Sequence, residues 1–516
     1  MIQQVRDRLN TGRTGALLTA ALTVLAGAIL PFALSPFNLW PLAWLSPALC
    51  FLLLQNRSAG AGAWLGWCYG LGVFGAGISW VFVSISDHSA TPLPIAILLT
   101  GLFVAGMALF FALQGWVFCR FLNQNRYSWL AFAGLWWLFE WLRSWLLTGF
   151  PWLYLGYASL DTHLQLWAPL GGVWLTSLWT ALGAAAIAVL FTQRHKQTRI
   201  LAAGVLTLPW LIALTLPGSW TQPEKSLNVA LVQADIPQAI KWKRDQLPGI
   251  LTHYRRLTDQ IADAELIVWP ETAIPALYRQ SLPLLGDLFQ RLDERGVSLI
   301  TGLPAAVPDR ENPDQYRFHN SLAVVSGGAG IYHKQRLVPF GEYLPLENLI
   351  RGLVDFFNLP ASNFRLPQDE QQNLRINGTR LASAICYEIA YPELVRRSAV
   401  ESELLLTVSN DTWFGRSIAP EQHMQIARMR ALENGRWLIR ATNNGISGFV
   451  GPQGQLIDQA PRYQTAILQG RVQTMQGLTP YQTVGLWPAM LLSLLLVAVP
   501  VAPRLTQRSR AQSPSP

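Results

Sequence analysis

The chain has 516 residues, of which 51% are hydrophobic and only 13% are charged, and it carries 22 Trp and a formal net charge of +9. Such an apolar composition excludes an ordinary soluble protein and indicates a membrane protein, and the length allows more than one domain. The charge does not indicate nucleic-acid binding, because residues 226–480 hold 25 basic and 25 acidic residues, so the whole excess lies among the apolar segments.

Eight apolar runs are candidates for membrane-spanning helices, since about 20 residues are needed to cross the hydrocarbon core. They lie at 14–34, 37–54, 63–85, 93–119, 128–148, 167–191, 200–217 and 483–502. The run at 37–54 is short and could instead form a hairpin with its neighbour. We therefore predict a membrane domain over 1–220 with about seven helices, then one more transmembrane helix at 483–502 and a tail at 503–516. The first run lacks a clear cleavage site and is interpreted as an anchor.

Basic residues are distributed unevenly among the short loops between these runs. Twelve would lie on one side of the membrane, whereas the loops near 35–36, 86–92 and 149–166 hold none. The twelve are Arg6, Arg8, Arg13, Arg57, Arg120, Arg126, Arg194, Lys196, Arg199, Arg504, Arg508 and Arg510. Because lysine and arginine mark the cytoplasmic side, we expect both chain ends in the cytoplasm and the polar domain on the periplasmic side of the inner membrane.

Between the last two runs the pattern changes to short strands and helices. Six β-rich stretches end in polar or turn residues, at 227–236, 265–271, 297–304, 320–326, 380–386 and 403–411. A helix is predicted over 421–435, ending at Gly435. Strands interleaved with helices predict an α/β layered domain.

Three side chains that could carry chemistry follow predicted strands of this domain. Glu271 stands in VWPETAIP, Lys334 in YHKQRLVPFGEYLP and Cys386 in AICYEIAYPEL. A thiol becomes a nucleophile when a base takes its proton or a nearby cation favours the thiolate. Glu271 could be that base and Lys334 that cation. Each residue alone also fits a structural role, as a turn carboxylate, a solvated charge or a packed cysteine at a strand end.

Cys386 differs from the other cysteines in its surroundings. Cys50, Cys68 and Cys119 lie in or beside apolar runs, where a small buried side chain is the expected role. Cys386 is the one cysteine of the polar region, so it has no disulfide partner there and is expected to be a free thiol.

The order of the three residues, with their flanking motifs, resembles the nitrilase, or carbon–nitrogen hydrolase, superfamily. WPE, HK…LVPFGE and ICYE…P stand for its three motif regions, and the resemblance covers about residues 227–470. With the apolar runs, and with VQADIPQAIKW, VSNDTWFG, RALENGRWLIRATNNGISG and GLTPY, the whole chain resembles the apolipoprotein N-acyltransferase family. The resemblance implies a multi-span α-helical membrane domain joined to a nitrilase-like αββα sandwich over 226–475.

The resemblance also implies roles for individual residues. Cys386 would be the nucleophile that becomes a thioester, Glu271 the general base, and Lys334 the group that stabilises the tetrahedral state. The further positions that match residues required by the family are Glu342, a second glutamate near the base, and Trp242, Tyr387 and Glu388. Because a carboxylate beside a thiolate is unfavourable, we expect a turn directly after Cys386 that points Glu388 away from the sulfur.

Weaker candidates lie outside these motifs. The stretch SNDTWFG, residues 409–415, is interpreted as a mobile loop over the site in which Trp413 and Phe414 could touch acyl chains, or as a surface loop with a packed aromatic pair. Asn443 and Asn444 could bind substrate or cap turns. The sequence offers no metal-ligand cluster or phosphate-binding loop, so we expect no metal and no cofactor.

Glu140 and Arg143 are charged residues at helical spacing within an apolar run. Charges inside a membrane are costly, and they are usually paired or functional. An ion pair with a structural role is the simpler interpretation, and a functional role is the alternative.

The resemblance implies an acyltransferase. It would take an acyl chain from a phospholipid, with phosphatidylethanolamine the expected donor, and pass it to the N-terminal amine of the diacylglyceryl-cysteine of an apolipoprotein. The partners would then be membrane lipid and a lipid-anchored protein, with no nucleic acid. A membrane-tethered amidase, in which water receives the acyl group, is one alternative. A transporter with an external domain is another, although the spans hold few polar residues for a midplane site.

Overall fold

The computed structural model describes residues 12–88, 91–123, 125–339, 341–343 and 364–500. The chain divides into two compact units. The first comprises the residues up to Phe82, Leu93–Pro217 and the segment from Val484, and the second comprises Val83–Pro92 and Gly218–Thr483. The predicted tail at 503–516 lies outside the described residues, and the predicted domain limits stay predictions.

The first unit is mainly helical, and helices also pack on the sheets of the second unit. In chain order they are α1 Gly12–Ala28, α2 Leu42–Leu54, α3 Ala59–Gly77, α4 Val81–His88, α5 Leu93–Val117, α6 Ser128–Arg143, α7 Ala168–Thr192, α8 Lys196–Ala213, α9 Gln238–Lys241, α10 Leu247–Thr258, α11 Tyr278–Glu294, α12 Pro392–Ala399, α13 Ala419–Asn434, α14 Pro480–Val484 and α15 Trp487–Ala498.

Each of the eight apolar runs overlaps at least one of these helices. Within the described part of the chain, three helical segments are long and apolar enough to cross a bilayer, namely Thr14–Ala33, Leu93–Leu122 and His163–Thr192. Helices α3 and α4 would add a fourth if they form one span, bent by 56°. Helices α2 and α15 are apolar but shorter, so the predicted number of spans stays a prediction.

Helix α6 ends before the run that predicted it. The apolar run extends to residue 148, but the helix ends at Arg143. Leu147, Thr148 and Gly149 all have positive φ, at 53°, 74° and 87°, a conformation that cannot continue a right-handed helix. Apolar composition alone does not reveal this change of backbone direction.

Helices α3 and α5 pack through small residues. Gly62, Gly66 and Gly70 lie four residues apart, so they share one face of α3. A Cβ at Gly66 would collide with the main chain at Phe111, and one at Gly70 would crowd Ala108. Small residues allow such close approach of helices in a bilayer, where burial of apolar surface gives no drive to associate.

The second unit contains two sheets. The strands are β1 Gln222–Gln233, β2 Leu266–Val268, β3 Ser298–Pro308, β4 Tyr316–Ser326, β5 Gly328–Ala329, β6 Ile331–His333, β7 Leu374–Ile376, β8 Thr379–Ile385, β9 Leu404–Ser409, β10 Leu438–Thr442, β11 Gly448–Val450, β12 Leu456–Gln459 and β13 Ala466–Gln476. One sheet has the order β13-β1-β2-β3-β4-β6 and the other β12-β11-β10-β9-β8-β7-β5. Strands β1, β2 and β3 run parallel, as do β8, β9 and β10.

Side chains on the two faces of each sheet enter different cores. In β1, Val229 and Leu231 join a cluster that also holds Leu404 and Leu406 of the other sheet, so the two sheets pack face to face. Ala230 and Val232 point the opposite way, into a cluster shared with α10 and α11. Because both faces of β1 are covered there, the stretch 229–232 is apolar throughout, and the layered α/β architecture predicted from the sequence is confirmed.

Candidate active site

The structure brings Glu271, Lys334 and Cys386 together at strand ends. Glu271 follows β2 after a short turn, Lys334 comes directly after β6 and Cys386 directly after β8. The Lys334 ammonium nitrogen lies 3.5 Å from Glu271 Oε1, and the charges of both side chains act on the thiol of Cys386. The three residues therefore occupy one site, and their catalytic roles stay a prediction.

The turn expected after Cys386 is present. Strand β8 ends at Ile385, and Cys386–Ala390 form one turn of 3-10 helix. Cys386 itself has a φ of 53°, in the left-handed region that non-glycine residues rarely adopt. A conformation of this kind costs on the order of 1–3 kcal/mol and persists only where surrounding contacts hold it.

The thiol of Cys386 is protonated at neutral pH. Burial and the carboxylate of Glu271 raise its pKa to about 12, although the ammonium of Lys334 acts in the opposite direction. The nearby cation therefore does not suffice to make a resting thiolate. A nucleophilic role for the sulfur would require a base that accepts its proton during attack.

Glu271 is the carboxylate best placed for that role, and both of its oxygens are fixed. Oε1 accepts a hydrogen bond from Asn320 Nδ2 at 2.7 Å, and Oε2 accepts one from the main-chain N–H of Asn410 at 2.8 Å. The turn that carries it lies against β3 at Gly302, where a Cβ would crowd the main chain of Glu271. The side chain is 9% exposed, so it keeps a small contact with solvent.

Lys334 pairs most closely with Glu342. The ammonium lies 2.9 Å from Glu342 Oε1, and Glu342 Oε2 accepts the main-chain N–H of Val338 at 2.8 Å. Burial alone would lower the pKa of Lys334, but the carboxylates of Glu342 and Glu271 raise it above its usual value. The buried ammonium therefore stays charged, as a group that stabilises an oxyanion must.

Asn320 connects the two carboxylates, and sequence reasoning missed it. Its side-chain Nδ2 donates to Glu271 Oε1 at 2.7 Å and to Glu342 Oε1 at 2.9 Å. Its main-chain carbonyl oxygen accepts the main-chain N–H of Lys334 at 2.8 Å. The only available signal was a polar residue at the start of the apolar stretch predicted at 320–326.

Glu388 joins the segment of Lys334 to the turn of Cys386. Its Oε2 accepts the main-chain N–H of Ile385 at 2.7 Å, and its Oε1 accepts the main-chain N–H of Gln335. The side chain is fully buried, and burial raises its pKa to about 7. Glu388 therefore points away from solvent and supports the site from behind.

The remaining matched positions, Trp242 and Tyr387, lie at the margin of this group. The Tyr387 ring packs edge-on against Tyr391, with 5.2 Å between ring centroids. Trp242 is half-buried at the end of α9, and within the described residues no hydrogen bond or ring contact joins its side chain to the other site residues.

The neighbour of Trp242, Lys241, reaches the site instead. Its ammonium is buried and donates to the main-chain carbonyl of Glu271 at 3.1 Å. Burial lowers the pKa of Lys241 to about 8 even though the Glu271 carboxylate opposes that shift. A lysine beside a tryptophan in QAIKW gave no separate signal, so sequence reasoning passed over it.

The stretch 409–415 is anchored at its beginning. Residues Asp411–Phe414 form one turn of 3-10 helix, and buried Asp411 pairs with Arg440 at 2.9 Å. The Trp413 carbonyl accepts a hydrogen bond from Ser84 Oγ at 2.8 Å. Trp413 and Phe414 are half-buried, and their contact with acyl chains stays a prediction.

Asn443 and Asn444 hold neighbouring loops together. Asn443 bonds to both the main-chain N–H and the carbonyl of Ile236, at 3.0 and 2.8 Å. Asn444 Oδ1 accepts the Thr412 hydroxyl at 2.9 Å. These contacts fit a structural role for the pair, and they join separate loops instead of capping one turn.

Glu140 and Arg143 are both buried within the first unit. Glu140 Oε1 accepts hydrogen bonds from Trp136 Nε1 at 3.1 Å and from the main-chain N–H of Leu155 at 2.9 Å. The guanidinium of Arg143 lies over the rings of Phe74 and Tyr154, at 5.3 and 5.2 Å from their centroids. These contacts fit a structural role, and the ion pair stays a prediction.

Comparison with known proteins gives one consistent result over nearly the whole chain. Residues 26–186 match the apolipoprotein N-acyltransferase N-terminal domain family, and residues 228–480 match the carbon-nitrogen hydrolase family. Apolipoprotein N-acyltransferase of Pseudomonas paraeruginosa is 47% identical over 97% of this chain and 97% of that protein. The proteins of the same name from Pseudomonas aeruginosa and Azotobacter vinelandii are 46% and 45% identical, over 92% and 95% of this chain and 93% and 96% of those proteins.

Proposed function

The chain belongs to the apolipoprotein N-acyltransferase family, and from this membership we propose that it transfers an acyl chain from a phospholipid to the N-terminal amine of a diacylated apolipoprotein through a thioester on Cys386. Family membership establishes a membrane acyltransferase of lipoprotein maturation. The thioester, the phospholipid donor and the roles of single residues are the proposed parts.

In the first half-reaction, Glu271 takes the thiol proton while the sulfur of Cys386 attacks the ester carbonyl carbon of the phospholipid. The ammonium of Lys334 stabilises the oxyanion that forms. When the tetrahedral state collapses, the ester carbon–oxygen bond breaks, and the departing oxygen takes the proton from Glu271. The products are a thioester on Cys386 and a lysophospholipid.

In the second half-reaction, the amine of the diacylglyceryl-cysteine attacks the thioester carbonyl carbon. Glu271 takes a proton from the amine, and Lys334 again stabilises the oxyanion. The carbon–sulfur bond then breaks, the amide forms, and the sulfur regains a proton from Glu271. The covalent intermediate divides a difficult transfer between two lipid-anchored substrates into two simpler steps.

The observation that best supports this proposal is the fixed carboxylate of Glu271, whose charge acts on the thiol of Cys386. The pKa of Cys386 is about 12, so a base is needed, and Glu271 is held by Asn320 and by the main chain of Asn410. Glu342 lies closer to Lys334 than Glu271 does, at 2.9 against 3.5 Å, and thus takes the stronger ion pair. This arrangement supports Glu271 as the proton acceptor.

The proposed location is the inner membrane, with the second unit on the periplasmic side. Its support is the distribution of basic residues among the short loops of the sequence. Phosphatidylethanolamine is the proposed donor.

The test is acyl transfer by the purified protein in vesicles that contain phosphatidylethanolamine with a labelled acyl chain. A diacylated lipopeptide should become triacylated, and the same peptide with a blocked amine should not, as read by mass spectrometry. Cys386→Ala should be inactive, whereas Cys68→Ala, which changes a buried cysteine of α3, should remain active. Labelled fatty acid released at equal rates with and without lipopeptide would instead identify a hydrolase.

A further inference from the structure

The carbonyl of Cys386 is held by a buried histidine. His423, in α13, places its Nε2 3.1 Å from the main-chain oxygen of Cys386. Cys386 has a left-handed backbone conformation, at a φ of 53°. Since a non-glycine residue keeps this conformation only when neighbouring contacts hold it, the bond from His423 is a candidate for that restraint.

The contacts of His423 determine which of its nitrogens carries the proton. A carbonyl oxygen can only accept, so Nε2 must donate to Cys386. On the other side of the ring, Arg440 Nη2 lies 3.0 Å from Nδ1, and a guanidinium can only donate, so Nδ1 must accept. Both requirements are met by the neutral ring with its proton on Nε2. Burial and the positive charge of Arg440 lower the pKa of His423, in agreement with a neutral ring.

Asp411 keeps Arg440 in position to make this contact. Its carboxylate pairs with the guanidinium at 2.9 Å and also accepts the Ser409 hydroxyl at 2.6 Å. Arg440 Nε in turn donates to the carbonyl of Ile446 at 3.1 Å. Asp411 Oδ1 lies 3.4 Å from His423 Nδ1, farther than Arg440, so the arginine contact decides the tautomer.

The three polar residues form a rigid support behind the nucleophile. His423, Asp411 and Arg440 are all 2% exposed or less, and they come from α13, the end of β9 and β10. Strand β9 lies between β8, which ends at Ile385 just before Cys386, and β10, which carries Arg440. Asp411 and Arg440 therefore belong to strands or strand ends of the same sheet as the nucleophile, and His423 packs on them from α13.

We infer that His423 is a positioning residue for acyl transfer: its Nε2–H holds the carbonyl of Cys386 and thereby keeps the sulfur aligned with Glu271 and Lys334, while Arg440 and Asp411 fix the tautomer that makes this possible. The inference rests on the proposed role of Cys386 as the nucleophile. Because the carbonyl and the following N–H of a trans peptide point in opposite directions, the bond also fixes the direction of the Tyr387 N–H.

The alternative is a purely structural histidine that satisfies a buried carbonyl. The two differ in what they predict for side chains that restore the bond. Gln can place an N–H near the Nε2 position and an oxygen near the Nδ1 position, Asn reaches only the Nδ1 position, and Leu offers neither group. Misplacement of a nucleophile by about 1 Å can cost about 100-fold in rate, so alignment should appear in kcat.

The test compares His423→Gln, His423→Asn and His423→Leu in the full-length protein in phosphatidylethanolamine vesicles, measuring kcat and the KM for phospholipid per folded molecule. We expect Leu and Asn to lower kcat about 100-fold with little change in KM, and Gln to retain activity within about 10-fold of wild type. His253→Leu is a matched control, since His253 also places Nε2 against a carbonyl, that of Ala234, and Nδ1 against an arginine, but in α10.

The outcomes separate this inference from the proposed function. Equal kcat in the Gln and Asn variants, or an unchanged kcat in the Leu variant, would overturn the positioning role while leaving wild-type acyl transfer intact. If the Leu variant does not fold, the comparison of kcat between the Gln and Asn variants tests the positioning role. Failure of the proposed function would instead appear as acyl transfer that persists in Cys386→Ala.

Discussion

The ammonium of Lys334 lies 2.9 Å from Oε1 of Glu342, with both side chains nearly buried. A buried charge needs a partner, and Glu342 supplies it. Glu271 lies farther from the same ammonium, at 3.5 Å, and is bound through neutral donors instead. The site thus contains two glutamates with different surroundings, one that balances a cation and one that is proposed to accept a proton.

Asn320 should be essential because it holds both glutamates. Leucine at this position keeps the size of the side chain but removes both hydrogen bonds to the carboxylates. Hydrogen bonds to charged groups contribute roughly 1.5–3 kcal/mol each, so kcat for lipopeptide acylation should fall by about 10- to 100-fold in Asn320→Leu. Asn312→Leu, at an exposed position, is the control. Activity of Asn320→Leu within about twofold of wild type would show that the bridge is dispensable.

Glu271→Gln should separate the charge of the glutamate from its role as a base. The carboxylate raises the pKa of the Cys386 thiol, so its removal should lower that pKa and shift alkylation of Cys386 by iodoacetamide to lower pH. Acylation by phospholipid should nevertheless slow by about 10²- to 10⁴-fold, because no base remains.

Mass spectrometry of the peptide that contains Cys386 can follow both its alkylation by iodoacetamide and its acylation by phospholipid, separately from the other cysteines. Glu294→Gln, at the surface end of α11, controls for loss of a carboxylate. Near-normal acylation in Glu271→Gln would reassign the base, and Glu342 would be the next candidate.

Glu388 should make stability depend on pH. Its carboxyl has a pKa of about 7 in the fold and 4.5 when unfolded, so its ionisation costs stability as pH rises through this interval. Gln cannot ionise, and it also disturbs the bonds to Ile385 and Gln335. The Tm of Glu388→Gln should therefore lie below that of wild type, with a gap that narrows from pH 4.5 to pH 8. A gap that widens over this range would mean that Glu388 is stabilised as the charged form.

The second unit is expected on the periplasmic side of the membrane. A reporter that is active only in the periplasm should work when fused after residue 225 and fail when fused after residue 504. The reason is the bias of lysine and arginine among the short loops. A reporter that is silent after residue 225, or active after residue 504, would reverse the predicted topology.

Some of the site could be predicted from the sequence, because Glu271, Lys334 and Cys386 follow apolar strands, where a charged or reactive side chain stands out. His423 and Arg440 could not be predicted in this way. Both are fully buried. The helix is buried except at Glu421 and Arg428 and the strand is buried throughout, so burial periodicity does not reveal them. Their importance depends on pairing across the fold, with Asp411 and with the carbonyl of Cys386.

In the first unit, too, the sequence predicts only part of the structure. Among the described residues, the apolar runs located the long helices of the first unit, because a bilayer demands apolar length. They did not locate the end of α6 at Arg143, the change of backbone direction that follows it at 147–149, or the bend between α3 and α4. Composition records the environment of a segment, whereas these changes of direction depend on individual backbone angles.

The most direct test of the account is the mass of Cys386 after the protein has been exposed to phosphatidylethanolamine with no acceptor present. The thioester mechanism predicts an acyl group on Cys386, with lysophospholipid released in equal amount. It also predicts loss of that group when a diacylated lipopeptide with a free amine is added. An amine-blocked lipopeptide should leave the acyl group in place. Lysophospholipid that appears only when both substrates are present, with Cys386 unmodified throughout, would contradict the covalent mechanism.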